Sequence, residues 1–314
     1  MSEVTAAPAG PRLIAEESNM PQKTESLPPS PWSDPMRALR NLRRFQRQAQ
    51  NEIAFLRGTH RSRSMSRSVI LFTSWRSASV YTGRLVETLA SSVGLEHINV
   101  EKYYYSRDPI TAAVNRLLRR DFDANCWKSH GYYYGPFRSL ERFPFSLEND
   151  AKKILFLRDP RDVLTSSYFS SRYSHGLSRD RKLARLQLER RRKLETQGVD
   201  EAVLENASNI LRHYTAYCSK LLSRPEVFFT KYEQMVADFP SWLTGLIRYL
   251  EWDVPGEVVQ QLSDRADFKV KKEDVHAHKR QVVPGDHGRK LKPETIHKLN
   301  ELFQEVCSKL GYPS

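Results

Sequence analysis

The chain has 314 residues, of which 39% are hydrophobic and 28% charged, and its net charge at pH 7 is +13. This length holds one large α/β domain or two small ones; the three widely spaced cysteines exclude a disulfide frame and a zinc site, and no apolar run approaches the ~18 residues that span a bilayer. The basic balance indicates an anionic partner, which is a nucleic acid, a membrane surface or a phosphorylated small molecule.

The first 67 residues divide into a tail and a basic helical segment. Residues 1–33 are rich in Pro, Ser, Ala and Glu without periodicity, which predicts a disordered tail. In residues 34–67, apolar side chains recur at three- and four-residue steps opposite arginines, which predicts an amphipathic helix and a basic linker. We expect the helix to pack on the main domain or on another copy of the chain; the alternative is peripheral membrane contact through residues 36–57. Since the N-terminus has no signal-like apolar core, we expect a cytoplasmic protein.

From residue 68 onwards, short apolar runs alternate with helical segments. The runs lie at 68–73, 97–105, 125–128, 152–157 and 226–231. The clearest amphipathic helices are predicted at 200–222 and 293–310. This alternation predicts a single α/β domain over residues 68–314, with a central, mainly parallel sheet flanked by helices.

The loop after the first predicted strand has the residues of a phosphate site. It reads Thr-Ser-Trp-Arg-Ser-Ala-Ser over residues 73–79. A loop between a buried strand and a helix N-terminus offers backbone N–H groups, and its hydroxyls and Arg76 add donors to phosphoryl oxygens. The GxxxxGK[ST] pattern is absent, so a Walker A loop is not predicted. An ordinary Ser/Arg loop is the alternative.

The segment ILFLRDPRDVLTSSYF, residues 154–169, predicts a buried strand, a turn and a helix. Arg158 stands at the carboxyl end of the strand, where open α/β sheets place ligand-binding groups. Ser166 lies two turns into the helix, so arginine and serine can hold one phosphate from two sides. An ion pair between Arg158 and Asp162 that fixes the turn is the alternative.

A third segment, Cys-Trp-Lys-Ser-His at residues 126–130, closes a short predicted strand. Lys128 and His130 project to the same side of an extended segment, because strand side chains repeat every two residues. A cation beside a base that titrates near neutral pH suits a group-transfer site that activates an acceptor. A structural histidine is the alternative.

Two basic stretches complete the candidate features. Residues 278–290 form a glycine-containing loop before the last helix, which is either a solvated charged loop or a lid over an anionic ligand. Residues 172–193 are dense in arginine and lysine. For this second stretch there are three alternatives: it is a solvated helix face, it is a mobile gate over an acceptor site, or it binds an anionic acceptor.

Taken in order, these segments resemble the motifs of the sulfotransferases that use 3′-phosphoadenosine-5′-phosphosulfate (PAPS), over residues 68–312. The resemblance implies a P-loop-kinase-like α/β fold, PAPS as co-substrate and no metal. Its most specific match is the 3′-phosphate motif R-x-x-[KR]-D-x-x-x-S, which is met by Arg158, Arg161, Asp162 and Ser166. The chain departs from the family's 5′-phosphosulfate loop at Trp75, Ala78 and Val80.

The resemblance also implies roles for single residues. His130 takes the acceptor's proton, while Lys128 and Arg76 stabilise the charge that develops on the bridging oxygen and the 5′-phosphate. The residues implied to bind PAPS are Arg76, Ser77, Ser79, Arg158, Ser166, Tyr232, Phe268, Arg280 and Gly285. The substitution His130→Ala is therefore expected to lower turnover by several powers of ten.

The expected reaction is sulfuryl transfer from PAPS to a hydroxyl or amine, which leaves 3′-phosphoadenosine 5′-phosphate (PAP). The acceptor is a small molecule, lipid or carbohydrate, no nucleic-acid partner is expected, and the oligomeric state stays open. A nucleotide kinase or NTPase is one alternative, although the sequence shows no Mg²⁺ ligands. A basic polyanion-binding protein on an inactive sulfotransferase scaffold is another. The aromatic side chains at 103–105 and 132–137 line an acceptor pocket or fill the core.

Overall fold

The computed structural model describes residue 55 and residues 62–99, 127–143, 146–178, 181–270, 273–276 and 280–313. The predicted tail and the predicted amphipathic helix, apart from Phe55, lie outside the described residues. The buried ring of Phe55 packs 5.1 Å from that of Tyr132 and 6.1 Å from that of Tyr134. Among the helices of the described ranges, none has the length and apolar character needed to cross a membrane.

The described strands form one parallel sheet. They are β1 (Val69–Thr73), β2 (Glu96–Ile98), β3 (Tyr132–Phe137), β4 (Lys152–Leu157) and β5 (Val227–Lys231). Their order across the sheet is β2-β3-β1-β4-β5, and each neighbouring pair is parallel. The strands predicted at 68–73, 152–157 and 226–231 are confirmed. The continuous apolar runs of β1 and β4 are explained by burial on both faces, which is usual for parallel sheets, whereas β5 at the edge of the sheet is mostly half-buried.

The described α-helices lie between and after these strands along the chain. They are α1 (Ser79–Ser92), α2 (Pro160–Phe169), α3 (Arg181–Thr196), α4 (Val199–Tyr217), α5 (Tyr232–Ala237), α6 (Phe239–Leu250), α7 (Gly256–Asp264), α8 (Asp286–Lys290) and α9 (Pro293–Leu310). A π-helical turn, Ser170–Ser174, extends α2, and another, Cys218–Leu222, extends α4. The helices predicted at 200–222 and 293–310 are thereby confirmed.

The core has two layers, because successive side chains of a strand point to opposite faces. Ile70 and Phe72 pack in the layer covered by α2, α4 and α9, whereas Val69 and Leu71 pack in the layer covered by α1, α6 and α7. All four are fully buried, and burial of such a side chain contributes about 1.5–3 kcal/mol. The predicted α/β architecture, a parallel sheet between helices, is confirmed.

Half of the strand predicted at 125–128 lies outside the described residues; the described half, residues 127–128, is not in a strand, and the strand that follows is β3 at Tyr132–Phe137. Its sequence, YYYGPF, contains a proline, which lacks the N–H that a central strand needs. The β1–β3 register shifts between Ile70 and Phe72, which places a bulge in β3 at Gly135 and Pro136, opposite Leu71, and accommodates the proline. The aromatic side chains of β3 are buried in the core rather than arranged around a pocket.

Candidate functional site at the carboxyl edge of the sheet

The candidate site lies where β1, β3, β4 and β5 end. Thr73 pairs with Phe156 and Leu157 pairs with Lys231, so the segments that follow these strands meet at one edge. Open α/β sheets bind ligands outside the carboxyl ends of their strands. This edge brings together the loop after β1, Arg158 after β4 and Tyr232 after β5.

The phosphate loop, residues 74–78, joins β1 to α1 through two residues in the left-handed region. Arg76 has φ 61° and Ala78 has φ 54°. Ala78 is the N-cap of α1 and its side chain accepts no hydrogen bond, so the first-turn N–H groups have no side-chain cap. Backbone N–H groups at such a turn and helix start form a concavity that suits an anion.

Two tyrosines of α4 hydrogen-bond the ends of β1 and β4 beside this loop. The Tyr217 hydroxyl donates to the carbonyl oxygen of Thr73 at 2.7 Å, and the Tyr214 hydroxyl donates to that of Arg158 at 2.6 Å. Because the Tyr214 proton is used in this way, Ser74 Oγ donates to Tyr214 at 2.9 Å, and Ser77 Oγ in turn hydrogen-bonds Ser74. Ser77, a predicted PAPS ligand, is thus fully buried within a hydroxyl chain.

Arg158 is buried at the end of β4, with 5% of its surface exposed. Its Nη1 donates to the carbonyl oxygen of Arg76 at 3.3 Å, its Nη2 donates to Asp162 at 3.2 Å, and its guanidinium lies 4.5 Å from the ring centroid of Tyr232. The ion pair with Asp162 that the sequence left as an alternative is therefore present. The buried Nε finds no acceptor among the described residues, so this arginine keeps one donor for a ligand.

Asp162, which is fully buried, connects Arg158 with the loop before α8. It accepts from the backbone N–H groups of Gly285 and His287, both at 2.9 Å, and from His287 Nδ1 at 2.7 Å. Burial alone would raise the pKa of Asp162, but the His287 hydrogen bonds and the Arg158 charge hold it well below its ordinary value. Gly285, a predicted PAPS ligand, therefore uses its N–H on Asp162.

Ser166 and Arg280 lie on the same side of α2, because Arg280 packs on the ring of Phe169, three residues after Ser166. Ser166 lies one turn after Asp162, is half-buried, and its side chain makes no hydrogen bond within the described residues. Arg280 lies 4.2 Å from the ring centroid of Phe169, and its two terminal nitrogens bind Glu273 and Asp286. Both terminal nitrogens of Arg280 are thus already engaged by carboxylates, which the sequence did not predict.

The two predicted aromatic ligands lie on the other side of the edge. The Tyr232 hydroxyl donates to the carbonyl oxygen of Val282 at 2.7 Å, which leaves its ring against Arg158. Phe268 is half-buried, and its ring centroid lies 5.6 Å from Tyr81 and 5.5 Å from Phe239. Next to Tyr232, the carboxylate of Glu233 accepts from the backbone N–H of Asp159 at 3.0 Å and so fixes the turn after Arg158.

Lys128 and His130 lie at the opposite, amino edge of the sheet. Both precede β3, and Ser68, which precedes β1, donates through its N–H to the Ser129 carbonyl at 2.7 Å. The six residues of β3 separate His130 from the carboxyl edge by about 20 Å at ~3.3 Å per residue. The structure therefore does not bring Lys128 and His130 together with Arg76, because this segment stands before a strand and not at the end of one.

The residue that sequence reasoning missed is Arg138, directly after β3. Its Nε donates to Ser79 Oγ at 2.9 Å, so a guanidinium lies beside the first residue of α1. Ser79 thereby accepts with its oxygen and keeps its proton for another acceptor. Arg138 follows β3 as Arg158 follows β4, and recognition of Tyr132–Phe137 as a strand would have identified it.

Comparison with known proteins bears on this architecture. A family model described as "Sulfotransferase domain" matches residues 134–311. Solved structures with similarity to the chain include mouse sulfotransferase SULT7A1 complexed with PAP, at 16% identity over 77% of this chain and 84% of that one, with a TM-score of 0.49. Retinol dehydratase in complex with androsterone and inactive cofactor PAP is 14% identical over 76% of this chain and 80% of that one, with a TM-score of 0.48. No curated protein sequence matches.

The family match covers more than half of the chain and includes every element that builds the carboxyl edge except β1, its loop and α1. It contains Arg138, Arg158, Asp162 and the loop before α8. The parallel sheet with helices on both faces agrees with it. The chain belongs to the sulfotransferase domain family.

Proposed function

We propose that this chain transfers a sulfuryl group from PAPS to a hydroxyl or amine of an acceptor and releases PAP. The observation that carries the proposal is the buried Arg158, whose Nε lacks an acceptor within the described residues and which lies against the phosphate loop. A buried donor without a partner is costly, so a phosphate oxygen at this position would stabilise the site.

The residues around Arg158 fit a nucleotide 3′-phosphate. Its Nε and the hydroxyl of Ser166 supply the donors, while Asp162 holds the guanidinium in place at 3.2 Å. The ring of Tyr232 lies against the same guanidinium and, with Phe268, provides aromatic surface for a base. A nucleotide that lacks the 3′-phosphate leaves Arg158 Nε without its acceptor, which would distinguish PAPS from ATP.

The phosphate loop fits the other end of the donor. PAPS supplies the sulfuryl group as the acceptor oxygen or nitrogen bonds to sulfur, the S–O bond to the 5′-phosphate breaks, and the electron pair leaves with the phosphate. The N–H groups of the first turn of α1 and the proton of Ser79 face the charge that develops there. Arg76 and Arg138 add two cations at the same edge, and stabilisation of this kind needs no metal.

His130 takes no part in the proton transfer, because about 20 Å of strand separates it from the phosphate loop. The acceptor's proton passes to a base at the carboxyl edge or to water. Lys128 is too far from the phosphate loop for the same reason. Arg138 has the role that the family resemblance implied for Lys128, which is to stabilise the charge on the bridging oxygen and the 5′-phosphate.

The test is a thermal-shift titration of the full chain with PAP, ADP and AMP. We expect PAP to raise Tm most, and we expect Arg158→Met to reduce the response to PAP to that of AMP, because the two nucleotides differ only by the 3′-phosphate. Lys128→Met, which removes a cation at the amino edge, is the matched control and should respond as the wild type does. Equal increases in Tm from all three nucleotides in the wild-type protein would refute the proposal.

Two further measurements address the alternatives. Transfer of ³⁵S from labelled PAPS to an acceptor in the presence of EDTA separates a sulfotransferase from a kinase or NTPase, which needs Mg²⁺. An inactive sulfotransferase scaffold would bind PAP and transfer no label to any acceptor in the screen, where we expect transfer.

A further inference from the structure

His97 of β2 joins α1 to the end of β3 through both of its ring nitrogens. Nδ1 lies 2.9 Å from a carboxylate oxygen of Glu87 in α1, and Nε2 lies 2.7 Å from the carbonyl oxygen of Gly135 in the bulge of β3. The ring also stacks on that of Tyr133, with the centroids 4.7 Å apart and the planes 19° from parallel. Because the His97 side chain is only 17% exposed, these contacts are largely shielded from water.

The two hydrogen bonds of His97 require its imidazole to be protonated. A peptide carbonyl oxygen and an ionised carboxylate only accept hydrogen bonds, whereas a neutral imidazole has a single N–H to donate. His97 therefore donates to Glu87 and to Gly135 at the same time only as a cation. The carboxylate and the face of the Tyr133 ring both stabilise a positive charge at this position.

The titratable groups that face His97 in the described part of the chain are Glu87 from α1 and Tyr133 from β3. Burial, and with it the charge of Glu87, raises the pKa of Tyr133 well above its ordinary value, although the charge of Arg138 acts in the opposite direction. Glu96, the neighbour of His97 in β2, is exposed and projects to the other face of the sheet. Since histidine is the side chain that ordinarily titrates near neutral pH, we expect a change of charge between pH 6 and pH 9 at His97 and not at these neighbours.

The same face of α1 also contacts the residues that follow the bulge. At Gly83, one turn before Glu87, an added β-carbon would come within 3.0 Å of the Pro136 ring, so helix and strand meet as closely as a glycine permits. At Ser79, one turn earlier still, Oγ accepts from Arg138 Nε at 2.9 Å. The three positions of α1 are four residues apart and so lie on one face of the helix. The end of β3 is therefore held along three successive turns of α1.

The hydrogen bond from His97 acts close to Arg138 in the chain. Two residues separate Arg138 from Gly135, whose carbonyl oxygen accepts that bond. When the imidazole loses its proton, one of its two hydrogen bonds is lost, because an unprotonated nitrogen then faces an oxygen that can only accept. The end of β3 is then held less firmly against α1, and the guanidinium of Arg138 is less firmly placed beside Ser79.

We propose that the His97 cation is a positioning residue for Arg138, and that the site binds the 5′-phosphate of the donor more weakly once His97 is deprotonated. This inference rests on the proposed function, which assigns Arg138 to the charge at that phosphate. It makes the placement of the guanidinium dependent on pH, through a proton that is shared between a helix and a strand end.

The test is calorimetric titration of the full chain with PAP at pH 6 and at pH 9. His97→Phe keeps a ring on Tyr133 and removes both donors. We expect the wild-type protein to bind PAP about tenfold more tightly than His97→Phe at pH 6, which corresponds to about one charge-assisted hydrogen bond, and equally tightly at pH 9. Because the phosphates of PAP ionise alike in both titrations, the ratio of the two Kd values reports on the histidine. A ratio that is the same at both pH values overturns the proposal.

Glu87→Gln separates the effect of the proton from the effect of the contacts. The glutamine amide can donate to Nδ1 of a neutral imidazole, whose Nε2–H still donates to Gly135, so both hydrogen bonds are made without the cation. We therefore expect Glu87→Gln to bind PAP more tightly than His97→Phe at pH 9, where the wild type has lost this advantage. A Glu87→Gln variant that loses the advantage at pH 9 as the wild type does would contradict the requirement for a proton.

His297→Phe is the matched control, because this histidine also lies beside a glutamate, Glu301 at 3.4 Å, but is 75% exposed on α9. It should leave the Kd for PAP unchanged at both pH values. In an Arg138→Met background, His97→Phe should weaken PAP binding little further, since the residue that it positions is already gone. Equal losses of PAP affinity with and without Arg138 would refute the positioning role.

A measurement without PAP covers the case in which His97→Phe does not fold. NMR spectra of the wild-type chain labelled with ¹⁵N-histidine should show both ring nitrogens of His97 protonated at pH 6, and a single protonated nitrogen at that pH counts against the proposal. Failure of the wild-type protein to bind PAP at pH 6 would instead refute the sulfotransferase proposal. An Arg138→Met variant that binds PAP as the wild type does would refute the role of Arg138, so the failures are distinguishable.

Discussion

The Tyr214 hydroxyl donates a hydrogen bond of 2.6 Å to the carbonyl oxygen of Arg158 and accepts one of 2.9 Å from Ser74. One buried side chain of α4 thus joins the phosphate loop after β1 to the arginine after β4. The two strands are neighbours in the sheet. Their carboxyl ends are held at a fixed spacing by the hydroxyl of this one residue.

Tyr214→Phe is expected to weaken PAP binding. The variant keeps the ring and removes the hydroxyl, which leaves Ser74 and the Arg158 carbonyl without this partner at a cost of about 1–3 kcal/mol in unfolding free energy. Tyr217→Phe is the control, because it removes a similar bond, to Thr73, on one strand alone. Urea unfolding and calorimetric titration with PAP measure both effects. Equal losses of PAP affinity in the two variants would contradict a spacing role for Tyr214.

His130→Ala and Lys128→Met are expected to retain turnover. Both residues precede β3 at the amino edge, and the exposed ring of His130 hydrogen-bonds the neighbouring Ser129 at 2.9 Å, so we expect the substitutions to change the free energy of unfolding by about 0.5 kcal/mol or less. We expect kcat and the KM for PAPS to stay within about twofold of the wild type. A loss of several powers of ten in kcat for His130→Ala would return this histidine to the role of base.

Arg138→Met is expected to lower kcat by about 10²–10³-fold, the usual effect of removing one donor that stabilises transition-state charge. The guanidinium contacts Ser79 at 2.9 Å, at the start of α1, the helix that we propose to bind the 5′-phosphate. Arg138→Lys should restore part of the activity. Arg84→Met is the control for net charge, because it removes an exposed cation from α1, the helix that begins at Ser79. Similar kcat values in Arg84→Met and Arg138→Met would rule out a local role.

Asp162→Asn is expected to destabilise the fold by about 3–5 kcal/mol at neutral pH, because it leaves the buried Arg158 and His287 without their carboxylate. The pKa of Asp162 is lowered in the folded state, so its stabilisation is present above the unfolded value of about 4 and is lost as pH falls below it. The difference in unfolding free energy between wild type and variant should be constant from pH 7 to 5 and narrow below pH 4.

Denaturant titrations at several pH values measure this difference. Asp238→Asn is the control, since its exposed carboxylate accepts a single backbone N–H, from Ser241 at 3.1 Å, and its pKa is also lowered. Below pH 4, the decrease in the difference in unfolding free energy should be smaller for Asp238→Asn than for Asp162→Asn. A difference for Asp162→Asn that does not change with pH would mean that the loss comes from packing and not from ionisation.

The strand that precedes Arg158 could be predicted because its signals are local. ILFL is an unbroken apolar run, and Asp159 caps α2 by accepting from the N–H of Arg161 at 2.9 Å, with Pro160 next to it. The apolar run, the N-cap residue Asp159 and Pro160 all lie within a few residues of one another. A sequence pattern of this kind positions an arginine at a strand end without knowledge of the rest of the fold.

The positions of Lys128, His130 and Arg280 could not be predicted, because each depends on contacts distant in the chain. The strand after His130 is hidden by Pro136, which is tolerated only at a bulge opposite β1. Arg280 has the charge of an anion ligand, yet Glu273 and Asp286 neutralise it once the loop folds back. In both cases tertiary structure decides between chemically reasonable alternatives.

The left-handed conformations of Arg76 and Ala78 have a consequence for how the loop meets a ligand. Glycine adopts such angles freely, whereas an arginine and an alanine reach them at a cost of about 1–3 kcal/mol each. Fewer backbone states are open to these two residues than to glycines, so less freedom remains to be lost when an anion arrives. The free-energy cost of these conformations is met during folding, so an anion binds to a loop whose backbone conformation is already fixed.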